Sequence, residues 1–220
     1  YNSDGADELV FYDITASSDN RNIMVNIVSK VAEQVFIPLT VGGGLRTIDD
    51  MHKMLQAGAD KISINTAAVE NPNLIKQGAE AFGSQCIVLG LDAIKTHPGK
   101  WAVKIRTGRY GGNDTGIDVL TWVRKATELG VGEIVVNSID QDGTGAGYDI
   151  DLLKMISRSV NVPVIASGGA GNAKHMLEAI SKGEADAVLA AGLFHYGTST
   201  INEVKQMLNN YGIPIRTLQR

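Results

Sequence analysis

Short apolar runs alternate along this chain with longer segments in which apolar residues recur at the spacing of a helix. The runs are rich in Val, Ile and Leu and are bounded by Gly, Pro or Asp. This is typical of parallel strands buried on both faces and joined by helical crossovers. The pattern predicts strands near residues 8–14, 37–42, 60–65, 86–92, 133–139, 162–167 and 186–190. It predicts helices over residues 21–34, 47–57, 72–82, 119–129, 150–159, 173–182 and 201–210, the third with Asn71 as its N-cap and Pro72 at its first position.

The second half of the chain repeats the first at an offset of about 125 residues. The paired positions include Glu8 with Glu133, Pro38 with Pro163, Gly43 and Gly44 with Gly168 and Gly169, and, after a one-residue insertion near Glu184, Asp60 with Asp186. A duplicated set of four βα units predicts a (β/α)8 barrel, a TIM barrel, built from two half-barrels. The partner of the predicted strand at 86–92 would precede Tyr1, so we expect this sequence to carry the barrel without its first βα unit.

Length and composition agree with one barrel domain over residues 1–220, since such domains usually have about 250 residues and no low-complexity tract interrupts the chain. The net charge of -4 gives no general attraction to nucleic acid or to an anionic membrane. No apolar run approaches the ~18 residues that would span a bilayer. We therefore expect neither nucleic acid nor a membrane as a partner. The single cysteine, Cys86, excludes an internal disulfide and indicates a cytoplasmic protein.

Glycines and small residues stand where the predicted strands end, which is the face that carries the chemistry in this fold. The positions form two repeat-related sets, Gly42-Gly43-Gly44 with Asn65-Thr66, and Gly168-Gly169 with Ala191-Gly192. Glycine allows a ligand to approach the backbone closely, and N–H groups at the start of the following helix bind phosphate. The two sets predict two equivalent phosphate sites across the barrel mouth. The alternative is that these glycines only form tight βα turns.

Carboxylates at the same strand ends are the candidates for proton transfer. Asp13, Asp92, Asp140 and Asp142 each end or follow a predicted strand. Asp92 is the strongest of them, because a carboxylate at a barrel strand end with no nearby basic partner in sequence suits a general acid or base. For each of the four, the alternative is a loop carboxylate that caps a helix or turn, and no role is assigned to Asp13 or Asp140.

Several of these stretches together resemble the cyclase subunit of imidazole glycerol phosphate synthase, an enzyme of histidine biosynthesis. They are residues 13–17 (DITAS), 40–44 (TVGGG), 61–69 (KISINTAAV), 138–144 (SIDQDGT), 147–149 (GYD) and 166–171 (ASGGAG). The likeness extends over the whole chain. The phosphoribosyl isomerase of the preceding step is a sibling with the same duplicated barrel and stays an alternative, although SINT at 63–66 is more similar to the cyclase.

The resemblance implies a lyase that uses ammonia to convert an open-chain aminoimidazole carboxamide ribonucleotide, phosphorylated at both ends. The products are imidazole glycerol phosphate and aminoimidazole carboxamide ribonucleotide. It implies Asp92 as a catalytic acid/base residue, one phosphate site at Gly44, Asn65 and Thr66, and the other at Asp142, Gly143, Gly169, Ala191 and Gly192. Gly192 stands where the family usually has Ser. The family's second catalytic aspartate and a loop lysine belong to its first βα unit, so a catalytically inactive barrel fragment is a further alternative.

Three charged residues begin predicted strands on the opposite face. Glu8, Lys61 and Glu133 start strands that would be the second, fourth and sixth of the barrel, and alternate strands contribute to one interior layer. The resemblance implies that this layer gates ammonia arriving from a separate glutaminase subunit, with which the chain would form a heterodimer. The alternative is an ion-pair layer that only supports the fold.

The remaining motifs predict no further chemistry. The four histidines show no spacing typical of a zinc site, and no dinucleotide-binding fingerprint is present, so we expect neither a metal nor an organic cofactor. Residues 101–106 alternate like a strand and a glycine-rich stretch follows at 108–116. We interpret this region as a hairpin and loop that cover the barrel mouth as a lid.

Overall fold

A single nine-stranded sheet organises the chain, in a computed structural model that describes residues 1–13, 25–108 and 111–216. Seven strands are parallel, in the order β1-β2-β3-β4-β7-β8-β9, and β5 and β6 extend from β4. The strands are β1 (Leu9–Tyr12), β2 (Leu39–Gly42), β3 (Lys61–Ile64), β4 (Ile87–His97), β5 (Lys100–Ile105), β6 (Asn113–Asp118), β7 (Glu133–Ser138), β8 (Val164–Ser167) and β9 (Ala187–Val188). Every predicted strand is present, in the sequential parallel order of a (β/α)8 barrel. Residue 14, the predicted end of the first strand, lies outside the described residues.

Helices connect the parallel strands, and all seven predicted helices are present together with two short ones. They are α1 (Val25–Ala32), α2 (Ile48–Gln56), α3 (Thr66–Glu70), α4 (Asn73–Phe82), α5 (Val119–Glu128), α6 (Ile150–Ser157), α7 (Ala173–Ser181), α8 (Gly192–His195) and α9 (Ile201–Asn210). The predicted first turn of the first helix, residues 21–24, is not among the described residues. Helices α3 and α8 were not predicted, because five and four residues are too few to show helical periodicity. No helix in the described ranges is both long and apolar enough to cross a membrane.

Side-chain caps start most of the longer helices. Thr47 and Thr200 form capping boxes at α2 and α9, and Asp118, Asp149 and Asn172 cap α5, α6 and α7. The predicted cap of α4 is wrong. Asn71 ends α3, and the N-cap of α4 is Pro72, with no side-chain capping bond. The preceding short helix already uses Asn71, because its N–H donates to the carbonyl oxygen of Ala67.

A repeated pair of hydrogen bonds fixes where strands begin in each half. The Asp60 carboxylate accepts from the N–H of Leu39 at 2.8 Å, and the Asp60 N–H donates to the Leu39 carbonyl oxygen. In the second half Asp186 makes the same two bonds to Val164, the carboxylate bond again at 2.8 Å. The duplication is therefore one of geometry as well as of sequence. It holds each strand in register with its neighbour at the end opposite the glycine turns.

The two faces of the sheet differ in character. Residues on one face, among them Val41, Ile62 and Leu89, are fully buried in an apolar core that includes the helices. In β3 the intervening positions are Lys61, Ser63 and, just beyond the strand, Asn65, so these three side chains share the other face, the barrel interior. We expected a continuous apolar run here. β3 instead alternates, because its interior positions carry polar side chains.

The predicted strand at 101–106 is present as β5, but the predicted loop at 108–116 is wrong in part, because residues from Asn113 onward form a further antiparallel strand, β6. β4 continues past Asp92 to His97, turns at Pro98-Gly99 and pairs with β5, which pairs with β6. Two carboxylates bind the hairpin close to its turn: Asp140 accepts from the Lys95 N–H at 2.7 Å, and Asp149 accepts from Trp101 Nε1 at 2.9 Å. The Lys95 ammonium also lies 5.3 Å from the centre of the Trp101 ring. The hairpin therefore stands at the carboxyl end of β4, above the barrel mouth.

A close contact inside the barrel gives the first prediction. A Cβ atom on Gly42 would lie 2.5 Å from Cε1 of Tyr12, whereas the Gly42 backbone conformation itself suits any residue. We expect Gly42→Ala to lower the free energy of unfolding by about 1–3 kcal/mol through overpacking. In a Tyr12→Leu background the same change should cost less than half as much. Denaturant unfolding of the four proteins of this double-mutant cycle measures the coupling, and equal costs in both backgrounds would contradict it.

Candidate active site

Asp92 lies at the centre of a hydrogen-bonded group at the carboxyl end of the parallel strands. One carboxylate oxygen, Oδ2, accepts from Asn65 Nδ2 at 2.8 Å and from the Thr107 hydroxyl at 2.5 Å. The other, Oδ1, accepts from Asn137 Nδ2 at 2.9 Å. Donors from the residue after β3, from the loop after β5 and from β7 thus hold one carboxylate in a fixed orientation.

Strand register explains how these residues meet. Asp92 pairs with Asn137 across β4 and β7, so the two side chains emerge side by side on the interior face. Asn65 is the first residue beyond β3, and its backbone conformation (φ -125°, ψ -83°) differs from that of an ordinary helix cap. It makes no capping bond to α3, because its side-chain amide points to Asp92 instead.

Burial dominates the electrostatics of Asp92. Desolvation raises the pKa of the carboxyl above its ordinary value, and the nearby Asp142 carboxylate raises it further. The hydrogen bonds from Thr107, Asn137 and Asn65 lower it, but they do not cancel the effect of burial. A carboxyl group with a raised pKa holds its proton more readily and suits general acid and base catalysis close to neutral pH.

Asn65 also has an acceptor with no partner. Its Oδ1 is buried and receives no hydrogen bond from any residue that the structure describes. An unsatisfied buried amide oxygen costs free energy, and such groups normally have a partner. Because the amide nitrogen of the same side chain is bonded to Asp92, this oxygen is in position to accept from a ligand N–H or O–H beside the carboxylate.

The first glycine turn lies next to this group. Gly43 has a φ of +100°, and a Cβ there would lie 2.2 Å from the carbonyl oxygen of Asp13, so only glycine fits. Gly44 follows it and is buried, and Thr66 begins α3 two residues beyond the end of β3. The backbone N–H of Arg106 donates to the Thr66 hydroxyl at 3.0 Å. The loop after β5 therefore contacts both Thr66 at the start of α3 and Asp92.

The second turn has the same construction in the other half. Gly169 has a φ of +104°, and its carbonyl oxygen accepts from the N–H of Gly147 at 2.8 Å. The next residue, Tyr148, is buried and donates its hydroxyl proton to the Leu189 carbonyl oxygen at 2.9 Å, which ties this loop to the end of β9. Burial raises the pKa of Tyr148, so it remains a donor. Beyond β9, Ala191 and Gly192 begin α8.

Asp142 and Gly143 complete the second turn. A Cβ on Gly168 would lie 3.4 Å from Cβ of Asp142, which places the Asp142 side chain against the turn. Gly143 is exposed, with a φ of +75° and open space where its side chain would be. The predicted residues of this site thus come from three strand ends, after β7, β8 and β9.

The charged layer forms at the opposite end of the interior. The Lys61 ammonium lies 2.9 Å from a carboxylate oxygen of Glu8 and 2.5 Å from one of Glu133. Lys61 and Glu133 are mostly buried, with side chains 14% and 17% exposed, whereas that of Glu8 is 42% exposed. Burial lowers the pKa of Lys61, but the hydrogen bonds to Glu133 and Glu8 outweigh it and raise the pKa overall, so the ammonium stays charged.

A polar strip joins the charged layer to Asp92. Lys61, Ser63 and Asn65 alternate along β3 toward the Asp92 group, and at the middle position the Tyr12 hydroxyl lies 3.0 Å from Ser63 Oγ. Burial raises the pKa of Tyr12 to about 12, the Ser63 bond opposes the shift, and the Asp92 charge adds to it. Gly90 on β4 leaves room here, since a Cβ at that position would lie 3.1 Å from Ser63 Oγ.

Sequence reasoning identified the strand-end residues but missed several partners. Thr107, Asn137, Tyr12 and Tyr148 were not predicted as members of the site. Asn137 could have been noticed as the polar residue within the apolar strand at 133–139, whereas Thr107 comes from the loop of the hairpin and carries no local signal. Asp140 binds the Lys95 N–H near the hairpin turn. Asp13 is buried after β1, and its N–H donates to the Gly42 carbonyl oxygen.

The site offers no ligand set for a metal ion. In the described ranges, no group of three or more His, Cys, Asp and Glu side chains is arranged to hold one. The functional groups at the carboxyl end are instead a single carboxyl, amides, hydroxyls and the backbone N–H groups of two glycine turns. Such groups suit proton transfer and the binding of anions.

Comparison with known proteins supports a specific family. A family model described as "Histidine biosynthesis protein" matches residues 1–200. The imidazole glycerol phosphate synthase subunit HisF of Bacillus cereus strain Q1 is 54% identical over 216 residues, which is 98% of this chain and 84% of that protein. The same subunit of strain AH187 aligns with the same identity and coverage. The similarity therefore extends over nearly the whole chain.

The two glycines of the second turn give a matched prediction. Gly169 and Gly143 both have positive φ, but a Cβ at Gly169 would lie 2.1 Å from the Gly147 carbonyl oxygen, whereas a Cβ at Gly143 meets nothing within 4 Å. We expect Gly143→Ala to lower the free energy of unfolding by about 1–2 kcal/mol, the cost of the left-handed conformation alone. Gly169→Ala should cost at least twice as much. Similar losses for the two variants in chemical denaturation would show that the turn is not constrained as described.

Proposed function

Because this chain belongs to the histidine biosynthesis protein family, we propose the following roles for its residues in the reaction of imidazole glycerol phosphate synthase, of which it is the cyclase subunit. The enzyme is a lyase. Its substrate is an open-chain aminoimidazole carboxamide ribonucleotide with a phosphate at each end, and ammonia supplies one nitrogen. The products are imidazole glycerol phosphate and aminoimidazole carboxamide ribonucleotide.

The observation that carries this proposal is the Asp92 group. Ring closure and release of the second product both require protons to move at the reacting nitrogen and carbon atoms, and a half-buried carboxyl with a raised pKa can donate and accept them. The amides of Asn65 and Asn137 hold the carboxylate in place. The unpartnered Asn65 Oδ1 is suited to accept a hydrogen bond from the substrate beside Asp92.

The two glycine turns fit the two ends of the substrate. One end would bind at Gly44, Asn65 and Thr66, and the other at Asp142, Gly143, Gly169, Ala191 and Gly192. Backbone N–H groups at such turns bind phosphate without a basic side chain, and at Gly192 the backbone donor does not depend on the residue type. A Cβ at Gly43 would meet the Asp13 carbonyl oxygen and one at Gly169 that of Gly147, so both turns are built with backbone packed against backbone.

Ammonia would enter from the opposite end. We infer that a glutaminase subunit docks on the face where Glu8, Lys61 and Glu133 lie, forms a heterodimer with this chain and releases ammonia there. The polar strip of Lys61, Ser63 and Asn65 supports a route through the barrel, because each side chain offers a hydrogen-bond partner on the way to Asp92. The setting we propose is the cytoplasm, since the one cysteine, Cys86, is a free thiol.

The charged layer has a role in this scheme beyond stability. Removing one partner of a buried charge group is costly, and replacing the whole group by apolar residues is often neutral, so stability alone is a weak reason to keep it. The Glu133 oxygen Oε2 is buried and has no partner in the described part of the chain, which leaves acceptor capacity facing the interior. An isomerase would have no use for such an entry, and both relatives described above are named as subunits of the synthase.

The role of Asp92 can be tested with free ammonia. In the enzyme supplied with ammonium salt, Asp92→Asn should lower turnover at least ~10²-fold, the scale of a lost acid/base group. Asp140→Asn is the matched control, because this carboxylate follows the neighbouring strand but accepts a hydrogen bond from the backbone of Lys95 and not from the Asp92 group. We expect it to change turnover less than about threefold. An Asp92→Asn enzyme as active as this control would remove Asp92 from the mechanism.

The charged layer is tested by comparing two nitrogen sources. With the glutaminase present, Lys61→Ala should uncouple glutamine hydrolysis from cyclisation, while activity with added ammonium salt stays within about threefold of the unmodified enzyme, because Asp92 lies at the far end of the strands. The measured quantity is the ratio of glutamate to imidazole glycerol phosphate formed, which should rise well above one.

A second lysine provides the control for this experiment. Lys205 is equally buried, with its side chain 15% exposed and 2.7 Å from Asp7, but it lies on α9 outside the barrel interior. Lys205→Ala should leave the product ratio near one. If Lys61→Ala behaves like Lys205→Ala, or reduces both activities in parallel, the layer supports the fold and does not control ammonia.

A further inference from the structure

Arg106 and Thr107, in the loop between β5 and β6, make three contacts that link Asp92 to helix α3. The Thr107 hydroxyl donates to Asp92 Oδ2 at 2.5 Å. One residue earlier, the Arg106 N–H donates to the Thr66 hydroxyl at 3.0 Å, and the Arg106 guanidinium lies 2.5 Å from the Glu70 carboxylate on α3. Two adjacent loop residues thus contact the proposed acid/base group and the helix at the proposed phosphate site.

The backbone of Arg106 is unusual and supports a specific docked conformation. It has a φ of +56°, one of two positive values among the described non-glycine residues. A left-handed residue with a Cβ costs about 1–2 kcal/mol unless its surroundings hold it there. Here the Thr66 hydroxyl and the Glu70 carboxylate hold the residue, and this conformation turns the following side chain, Thr107, toward Asp92.

We propose that Thr107 is a positioning residue for Asp92, and that the contacts of Arg106 with Thr66 and Glu70 bring it into place, so that docking of the hairpin and readiness of the carboxylate for proton transfer are coupled. The proposal rests on the role given above to Asp92. The hairpin would then position Asp92 in addition to covering the barrel mouth. The bound phosphate, the docked loop and the oriented carboxylate then form one connected unit through Thr66.

The direction of the Thr107 effect follows from simple chemistry. A hydroxyl that donates to a carboxylate stabilises the ionised form, so this bond lowers the pKa of Asp92 against the opposing effect of burial. The other groups that face Asp92 are Tyr12 from β1, Asp142 after β7 and Lys104, its register partner on β5. The Lys104 ammonium lies 3.4 Å from the Gly111 carbonyl oxygen. None of these three is altered by changing Thr107.

The test compares Thr107→Val with Thr107→Ser in the enzyme supplied with ammonium salt. Valine keeps the branched shape and loses the donor, whereas serine keeps the donor. We expect Thr107→Val to lower kcat/KM about tenfold and to move the Asp92 limb of its pH profile upward by about one unit, since one hydrogen bond to a charged group is lost. Thr107→Ser should restore both values to within about threefold and 0.3 unit, a partial loss on the order expected for a freer side chain.

A variant of the docking contact extends the test. Arg106→Gly keeps the left-handed backbone available and removes the guanidinium from an ion pair whose two side chains are each 47% exposed. An exposed ion pair is worth little, so we expect the limb to move in the same direction as in Thr107→Val but by less than half as much. A shift in the opposite direction would contradict the coupling.

The outcomes separate this proposal from the role of Asp92 itself. The Asp92 limb of the pH profile is defined as the limb that is lost in Asp92→Asn. If Asp92→Asn is inactive and Thr107→Val retains the unmodified pH profile, the positioning role is wrong and the catalytic role stands. Equal losses in Thr107→Val and Thr107→Ser would show that the residue only packs the loop. If Asp92→Asn keeps full activity, the catalytic role has failed, and the positioning role fails with it.

Discussion

The two-residue alternation of β3 is the constraint on which the rest of the structure depends. Its outward residues, Ile62 and Ile64, are buried in the apolar core, and this burial fixes which face of the strand turns inward. Lys61, Ser63 and Asn65 then share the interior and become, in order, the charged layer, the contact of Tyr12 and the amide that holds Asp92. A slip of one residue would bury a lysine among the helices and remove every one of these groups from the interior. Register, and not any single contact, therefore sets the distance between the two ends of the interior.

Duplication explains why the mouth of the barrel is nearly symmetric while its chemistry is not. Both halves repeat the strand-start aspartate and the glycine turn, so two similar turns stand at the barrel mouth. Asp92 begins the second half and is held by Asn65 from the first half and Asn137 from the second. The hairpin after β4 breaks the symmetry further, because β4 continues past the barrel mouth to His97. The reaction is thus assigned to the border between two similar units, where side chains from both can reach one carboxylate.

The sequence predicted what depends on short-range pattern. Apolar runs, helix caps and the repeat were sufficient for the order of the parallel strands and longer helices, for the glycine turns and for Asp92 at the carboxyl end of the parallel pairing. The predicted strand end at Asp92 was wrong, because β4 continues to His97 in the antiparallel hairpin. The short helices α3 and α8 escaped because one turn carries no periodicity, and the α4 cap was misplaced because Asn71 is already part of the preceding turn. Thr107 reaches Asp92 only through the left-handed backbone of Arg106, a conformation that an arginine does not suggest. Tyr12 could not be assigned either, since its place depends on an absent side chain at Gly42 on the neighbouring strand.

The raised pKa of Asp92 makes the stability of the folded chain depend on pH. A carboxyl group that is harder to ionise in the folded chain than in the unfolded one binds more protons when folded, so its contribution to stability decreases as pH rises from the unfolded pKa through the raised folded value. Carboxylates with lowered pKa values, such as Glu178 and Glu184, act in the opposite direction, but they are solvated at the surface and contribute little. The charge at Asp92 therefore opposes folding. In the pH range where Asp92 is ionised and can accept a proton, its charge lowers the stability of the folded barrel. The hydrogen bonds from Thr107, Asn137 and Asn65 make this loss of stability smaller but do not cancel it.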